Sequence, residues 1–257
     1  MEIVVVVKMV PDLVEELEVA ADGRALDRSF LKLRLNEFDE HAVEEALLLK
    51  EAHGGRVTVV ALAGEEVDEA LFTCLAKGAD RAVKVTGDFG PGLGSPPAAA
   101  ALAAAVRELP ADLILTGVQA ADDREGQVGI FLAEALGLPH VSVVSGVEPA
   151  GPGTVTVRQE YAGGVMAELE ADLPCVLGIQ AARQAPRYVP VSKVRQAMKT
   201  AKLEEVAAPA ELPPPGSTVL RLAKPETRGG AEILEGSAEE VADRLLGILR
   251  ERGFVRV

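Results

Sequence analysis

The chain opens on Ile3-Val4-Val5-Val6-Val7, a near-continuous β-branched run. Such a run has no polar face, so as a strand it must be buried on both sides. A sheet covered by helices on both faces meets that demand. The first 140 residues repeat the theme. Val57-Thr58-Val59-Val60-Ala61-Leu62, Ala82-Val83-Lys84-Val85 and Leu113-Ile114-Leu115-Thr116 read as further strands. Helical segments alternate with them: Phe38 to Ala52, Glu65 to Lys77, and the Ala-rich Ala98 to Leu109. In the first of these, Ala42, Val43, Ala46 and Leu47 share one face. Asn36 is placed to cap that helix, Gly54-Gly55 ends it, Gly78 closes the second and Pro110 stops the third. Asp12 to Leu35 carries the turn signal Ala21-Asp22-Gly23-Arg24 and reads as a hairpin or excursion.

This alternation predicts an α/β fold, a doubly wound and mostly parallel Rossmann-like sheet. After Pro139 the pattern changes. Val141 to Val147, Thr154 to Tyr161 and Val165 to Leu169 alternate between Gly turns, which predicts antiparallel additions. Cys175-Val176-Leu177-Gly178-Ile179 returns to a buried strand. From Gln180 the chain reads as irregular, with Pro186, Pro190 and Pro213-Pro214-Pro215. An extended C-terminal arm then ends in an amphipathic helix, Ser237 to Arg252, with Val241, Leu245, Leu246 and Leu249 on one face.

At 257 residues the chain is long enough to bury a substantial core. Its net charge of −14 argues against nucleic acid, which needs a basic face. Cys74 and Cys175 lie far apart without metal spacing and read as buried structural thiols. The three histidines, His41, His53 and His140, share no motif, and no Ser-His-Asp, Cys-His or H-E-x-x-H arrangement occurs. No metal ligand is therefore expected, and no catalytic residue is singled out by these patterns. The start MEIVVVVK is too short and too acidic for a secretory signal, and no apolar run approaches the roughly 20 residues of a membrane span. A cytoplasmic chain that does not span a membrane is expected.

The segment with most chemical character is Gly117 to Gly129, GVQAADDREGQVG, directly after the Leu113–Thr116 strand and ahead of a helix that begins near Gln127. In an open α/β sheet, ligands bind outside the carboxyl ends of the strands. A helix N-terminus there offers unpaired amides and a positive dipole end to a phosphate. The loop has neither the Lys of a Walker A sequence nor G-x-G-x-x-G spacing. It suits an adenine-nucleotide-like ligand held by backbone amides rather than by a charged grip. Asp122 and Asp123 would repel a nearby phosphate unless turned away, so they read as loop-shaping residues, with Gly126 to Val128 presenting the amides.

Several motifs together resemble the β subunit of electron-transfer flavoproteins. They are IVVVVK with Pro11-Asp12, Asn36-Glu37-Phe38-Asp39-Glu40 continuing as HAVEEALLLKE, and CLAKGADR from Cys74 to Arg81. GVQAADDREGQVG, Glu160 with Gly163-Gly164, Leu173-Pro174 and Pro186-Arg187-Tyr188 complete the set, in family order, to about residue 200. The resemblance implies a heterodimer with an electron-transfer flavoprotein α subunit. That partner supplies most of the site of a redox-active FAD, while the β chain holds a structural AMP. It implies electron flow from flavin dehydrogenases, such as acyl-CoA dehydrogenase, to a quinone oxidoreductase.

By the same resemblance, the nucleotide site comprises Val6, Asn36, Glu37, Phe38, Asp39, Ala63 and the loop Gly117, Val118, Gln119, Ala120, Ala121, Asp122, Asp123, Arg124, Glu125, Gly126, Gln127 and Val128. Phe38 matches an aromatic near the flavin, whereas Leu13 stands where the family often has one. A dehydrogenase-docking segment falls on Tyr188, Val189, Pro190 and Val191, with Lys193 and Arg195 nearby and a thinned basic stretch at Lys199 and Lys202. The implied division is a Rossmann-like adenine-nucleotide-binding domain over 1–185 and a docking loop with C-terminal arm over 186–257. Two other readings stay open. One is an electron-bifurcating relative with a second FAD in place of AMP, which the bulky Asp123-Arg124-Glu125 centre disfavours. The other is a stand-alone adenine-nucleotide sensor, disfavoured by the C-terminal arm and the docking motif.

Overall fold

The computed structural model describes residues 1–90, 92–123, 125–225 and 230–255. They form two compact units, Met1–Leu222 and Ala223–Val257. In the first unit the chain runs β1 (Glu2–Val6), β2 (Met9–Pro11), β3 (Leu33–Leu35), α1 (Glu37–His53), β4 (Arg56–Leu62), α2 (Val67–Lys77), β5 (Arg81–Thr86) and α3 (Ser95–Val106). It continues through β6 (Leu113–Gly117), α4 (Val128–Leu136), β7 (His140–Gly151), β8 (Thr154–Glu160), β9 (Met166–Asp172), β10 (Cys175–Ile179), α5 (Val191–Thr200) and β11 (Glu204–Ala207).

Among the described residues nine strands form one sheet, in the order β11-β5-β4-β1-β6-β10-β7-β8-β9. Every pairing from β11 to β7 is parallel, and only β7–β8 and β8–β9 are antiparallel. The N-terminal run behaves as its composition demands. Ile3, Val5 and Val7 pack with Ala42, Val43 and Leu47 of α1 and Leu71 of α2. Val4 and Val6 face the opposite way, onto Ala101 and Leu102 of α3 and Leu132 of α4. Each such burial contributes about 1.5–3 kcal/mol, which is why this strand takes the sheet's centre. The chain winds outward from β1 through β4 to β5, then crosses to β6 on the other side of β1. The strand order therefore reverses between β1 and β6, where a doubly wound sheet opens its crevice. The excursion is also present: β2 pairs antiparallel with β3, and a Val19–Leu26 bridge closes its tip.

The structure departs from the sequence reading at four places. β7 is not simply antiparallel: its first residues pair parallel with β10, and from Val144 onward it pairs antiparallel with β8. The exchange occurs at a register shift beside Val143, whose φ is +59°. Alternating polarity is the same for both pairings, so the direction of the neighbour was not in the pattern. Second, α3 starts at Ser95, ahead of Ala98, because Pro96 and Pro97 fit a first turn that needs no amide donors. Third, the stretch after Gln180 contains α5 and β11. Helix α5 buries only Val194, and β11 is the acid-rich Glu204-Glu205-Val206-Ala207. Helix α5 does carry apolar residues at helical spacing, Val191, Val194 and Met198, whereas β11 has no apolar alternation. The edge of β5 recruits β11, with Arg81 pairing Glu204 at 2.8 Å and Lys84 pairing Glu205 at 2.9 Å. Fourth, Asn36 stands at the N-cap of α1, yet its side chain makes no cap hydrogen bond.

The second unit contains α6 (Ala238–Glu251). Ser237 and Glu240 close a reciprocal capping box at its start, through Glu240 N–H to Ser237 Oγ at 3.3 Å and Ser237 N–H to Glu240 Oε2 at 2.8 Å. None of its residues is fully buried, and Leu245 is 48% exposed. No helix among the described residues is long and apolar enough to cross a membrane.

Candidate functional site

Parallel strands end on one edge of the sheet, so Val6 of β1, Ala63 just past β4 and Gly117 of β6 lie along the same rim. The first turn of α1 sits over that rim and is tied to it by Asp39. The Asp39 carboxylate is 5% exposed and accepts the backbone N–H groups of Lys8 at 2.9 Å and Gly117 at 3.1 Å. Burial pushes its pKa up to about 7, against the opposing pull of the Asn36 side chain, the Lys8 amide and charge, and the Gly117 amide. Two more links cross the same gap. Asn36 Nδ2 donates to the Gln119 carbonyl at 2.9 Å, and Lys8 Nζ pairs with Asp122 at 2.6 Å. Asn36 thus uses its side chain to join α1 to the loop after β6 rather than to cap its own helix. Gly117 is required there: a Cβ would stand 2.4 Å from Asp39 Oδ1 and 2.8 Å from Phe38 Cβ.

The loop itself is internally braced. Asp123 Oδ1 accepts the Glu125 N–H at 2.9 Å, and Asp123 N–H donates to the Ala120 carbonyl at 3.0 Å. Glu125 receives a hydrogen bond from Ser217 Oγ. Ala120 is buried, Val118 is half-buried, and Gln119 and Ala121 are exposed. Arg124, assigned to the site by sequence, lies outside the described residues. Gly126 turns the chain with φ +60°, Gln127 stands at the N-cap of α4 without a side-chain cap bond, and Val128 begins the helix. The first amides of a helix have no intrahelical partner, so this end presents N–H groups and partial positive charge to an anion. Gly129 lets α4 settle onto β6, since a Cβ there would lie 2.9 Å from Thr116 Oγ1. Of the remaining site residues, Phe38 is half-buried beside Gly117 and Glu37 is exposed.

The residues expected to dock a dehydrogenase fall elsewhere, on the segment that leaves β10. That segment is fastened to α1 by a stripe of residues that sequence reasoning missed. His41 Nδ1 accepts the Ala182 N–H at 3.1 Å. Glu45, fully buried, accepts the Arg183 N–H at 3.0 Å, Arg183 Nε at 2.8 Å and the Val147 N–H at 3.2 Å. Glu44, 3% exposed, accepts the Arg187 N–H at 2.9 Å and Arg187 Nη2 at 2.8 Å, while Arg187 also reaches Glu51. These carboxylates hold the Arg187 guanidinium strongly protonated, with its pKa raised. In sequence the pair shows only as two adjacent acids, Glu44 and Glu45, on a helix with an apolar face. Beyond this clamp Tyr188 is 84% exposed and Val191, the first residue of α5, is 61% exposed; Pro190 is exposed and Val189 half-buried.

The site offers amides, one lysine and braced carboxylates. Both cysteines are free and buried, and burial pushes the Cys74 thiol up to about 12, so it stays neutral and unreactive at neutral pH. Among the described residues no group of three or more His, Cys, Asp or Glu is arranged to hold a metal ion.

Comparison with known proteins places this chain in a family. A family model described as the electron transfer flavoprotein domain matches residues 25–211. The chain is 34% identical to the electron transfer flavoprotein subunit beta of Methylophilus methylotrophus, over 98% of each chain. It is 35% identical to the subunit of the same name from Syntrophomonas wolfei, over 95% of this chain and 94% of that one. It is 32% identical to Protein FixA of Azorhizobium caulinodans, over 80% of this chain and 74% of that one. The chain therefore belongs to the electron transfer flavoprotein β-subunit family.

Proposed function

We propose that this chain is the small subunit of a heterodimeric electron carrier, holding AMP in the crevice between β1 and β6 and completing the FAD site of an α subunit. The observation that carries the reading is the rim itself. A backbone stitched by Asp39 to Gly117 leaves the N-terminal amides of α4 free for a phosphate, with Lys8 close by. These residues fit a nucleotide monophosphate: backbone lines the rim at Gly117, where a Cβ would meet Asp39 and Phe38, and at Gly126, whose φ of +60° favours glycine. The flavin supplies the redox chemistry when bound. This chain's residues position and exclude, and no catalytic side chain is assigned. The carrier would take electrons from flavin dehydrogenases, acyl-CoA dehydrogenase among them, and pass them to a quinone oxidoreductase. Exposed Tyr188 and Val191, with Val189 and Pro190 between them, are proposed as the docking segment for the dehydrogenase.

Asp123 and Glu125 disfavour a second flavin at this site, because both are tied into the loop and occupy its centre. The test is co-purification with the α subunit, followed by counting FAD and AMP in the complex. One FAD with one AMP is the expected result. Two FAD per complex would move the chain to the electron-splitting class, and the absence of a stable partner would leave a nucleotide sensor.

A further inference from the structure

Residues 208–222 leave β11 and travel along the same edge of the sheet as the crevice. Ala208 N–H donates to the Thr86 carbonyl at the end of β5, at 2.8 Å. Leu212 packs on the core cluster of the α3–α4 face. Pro215 then passes just ahead of α3, so close that a Cβ on Gly94 would lie 2.5 Å from its carbonyl oxygen. Ser217 Oγ donates to Glu125 in the loop after β6. Leu222 N–H donates to the Gly23 carbonyl at 2.7 Å, at the tip of the excursion that follows β1. One anchor lies on the loop after β6, and the other on the excursion after β1, which Arg28 ties to Glu65 just past β4. Residues 217–222 must bridge them, and six residues of extended chain reach at most about 20 Å.

We propose that residues 217–222 form a strap across the mouth of the crevice, latched at Glu125–Ser217 and at Gly23–Leu222, and that this strap sets the rate of nucleotide exchange. The inference rests on the nucleotide reading above. The latch at Ser217 is a hydrogen bond to a carboxylate, stronger than a neutral one yet breakable without unfolding the sheet. Glu125 lies in the loop that leads into the α4 N-terminus, so freeing it loosens the segment that would carry the phosphate. The strap does not touch the core beneath β1, and its release leaves the sheet intact.

The experiment uses the full chain in complex with its α subunit and follows exchange of bound AMP against isotopically labelled AMP. Ser217→Ala removes the first latch, and Leu222→Pro removes the amide of the second. Each is expected to speed exchange by about five- to tenfold, the effect of one charge-assisted or buried hydrogen bond, and the double variant by more. FAD content and melting temperature should stay at the wild-type values, which separates a strap from general destabilisation. AMP present but exchanging at the wild-type rate in both variants overturns the strap alone. A wild-type complex that holds no AMP overturns the strap and the nucleotide reading together.

Discussion

Two neighbouring strands, β6 and β10, each release a segment that is fastened to the same helix, α1, by different chemistry. The loop after β6 is held by one buried carboxylate, Asp39, which accepts backbone amides and the Asn36 side chain. The segment after β10 is held by Glu44 and Glu45, which accept both backbone amides and the guanidinium groups of Arg183 and Arg187. In the first case the only cation among the described residues is Lys8, which adds one exposed ion pair with Asp122 beside the buried carboxylate. The Lys8 side chain stays 44% exposed at the rim. In the second case the cations are spent on the structure, and the apolar pair Tyr188 and Val191 is left exposed. A fastening made of amides keeps a site open to anions, whereas one made of ion pairs builds a rigid base under an exposed patch.

Breaking the second fastening should have the largest effect. Arg187→Ala strands Glu44, which is 3% exposed, and loss of one partner of a buried pair costs about 3–5 kcal/mol. Denaturant unfolding should show that loss while AMP content per folded complex is unchanged. If AMP falls in parallel, the two fastenings are one network and the contrast fails. Arg187→Lys should recover little, because a lysine cannot match the two-pronged contact with Glu44 and Glu51.

Gly117→Ala attacks the first fastening. The new methyl would meet Asp39 Oδ1 at 2.4 Å, so Asp39 or the rim must shift, at about 1–3 kcal/mol. The expected outcome is a complex that folds but retains AMP poorly, read by nucleotide content after gel filtration. Full retention would remove Gly117 from the site.

The effect that is smallest per step of the variable is a pH slope. Asp39 has its pKa raised from 3.8 to about 7, so the folded state favours the protonated carboxyl. The stability this contributes is complete below pH 3.8 and is lost as pH rises through about 7. Across that window the unfolding free energy of the wild type should fall relative to Asp39→Asn, by at most about 1.4 kcal/mol per pH unit. Parallel pH profiles for the two proteins would show that Asp39 binds no proton on folding.

Much of the crevice was legible before the structure because it is built from local signals. The apolar runs of β1, β4 and β6 announce strands, the Gly-rich breaks announce their ends, and Gly126 with Gln127 and Val128 announces a helix start. The fastenings were not legible. Asn36 carries the signature of a cap and instead bonds Gln119, 83 residues away in sequence. Glu44 and Glu45 look like the solvated face of a generic helix until Arg183 and Arg187 arrive from beyond β10. β11 has no strand signal of its own, and its place is set by the β5 edge and the ion pairs of Glu204 and Glu205.

What the sequence determined by itself was the kind of sheet. An unbroken β-branched run can be buried only between two helical layers, and the alternation of strands and helices supplies those layers in order. The tertiary structure alone decided which strand lies beside which, and hence that Asp39 meets Gly117 and that residues 217–222 reach from the loop after β6 to the excursion after β1. The reason is one of range. Periodicity reports the environment of each side chain on its own segment, whereas a partner's identity depends on where distant segments settle once their apolar faces are buried.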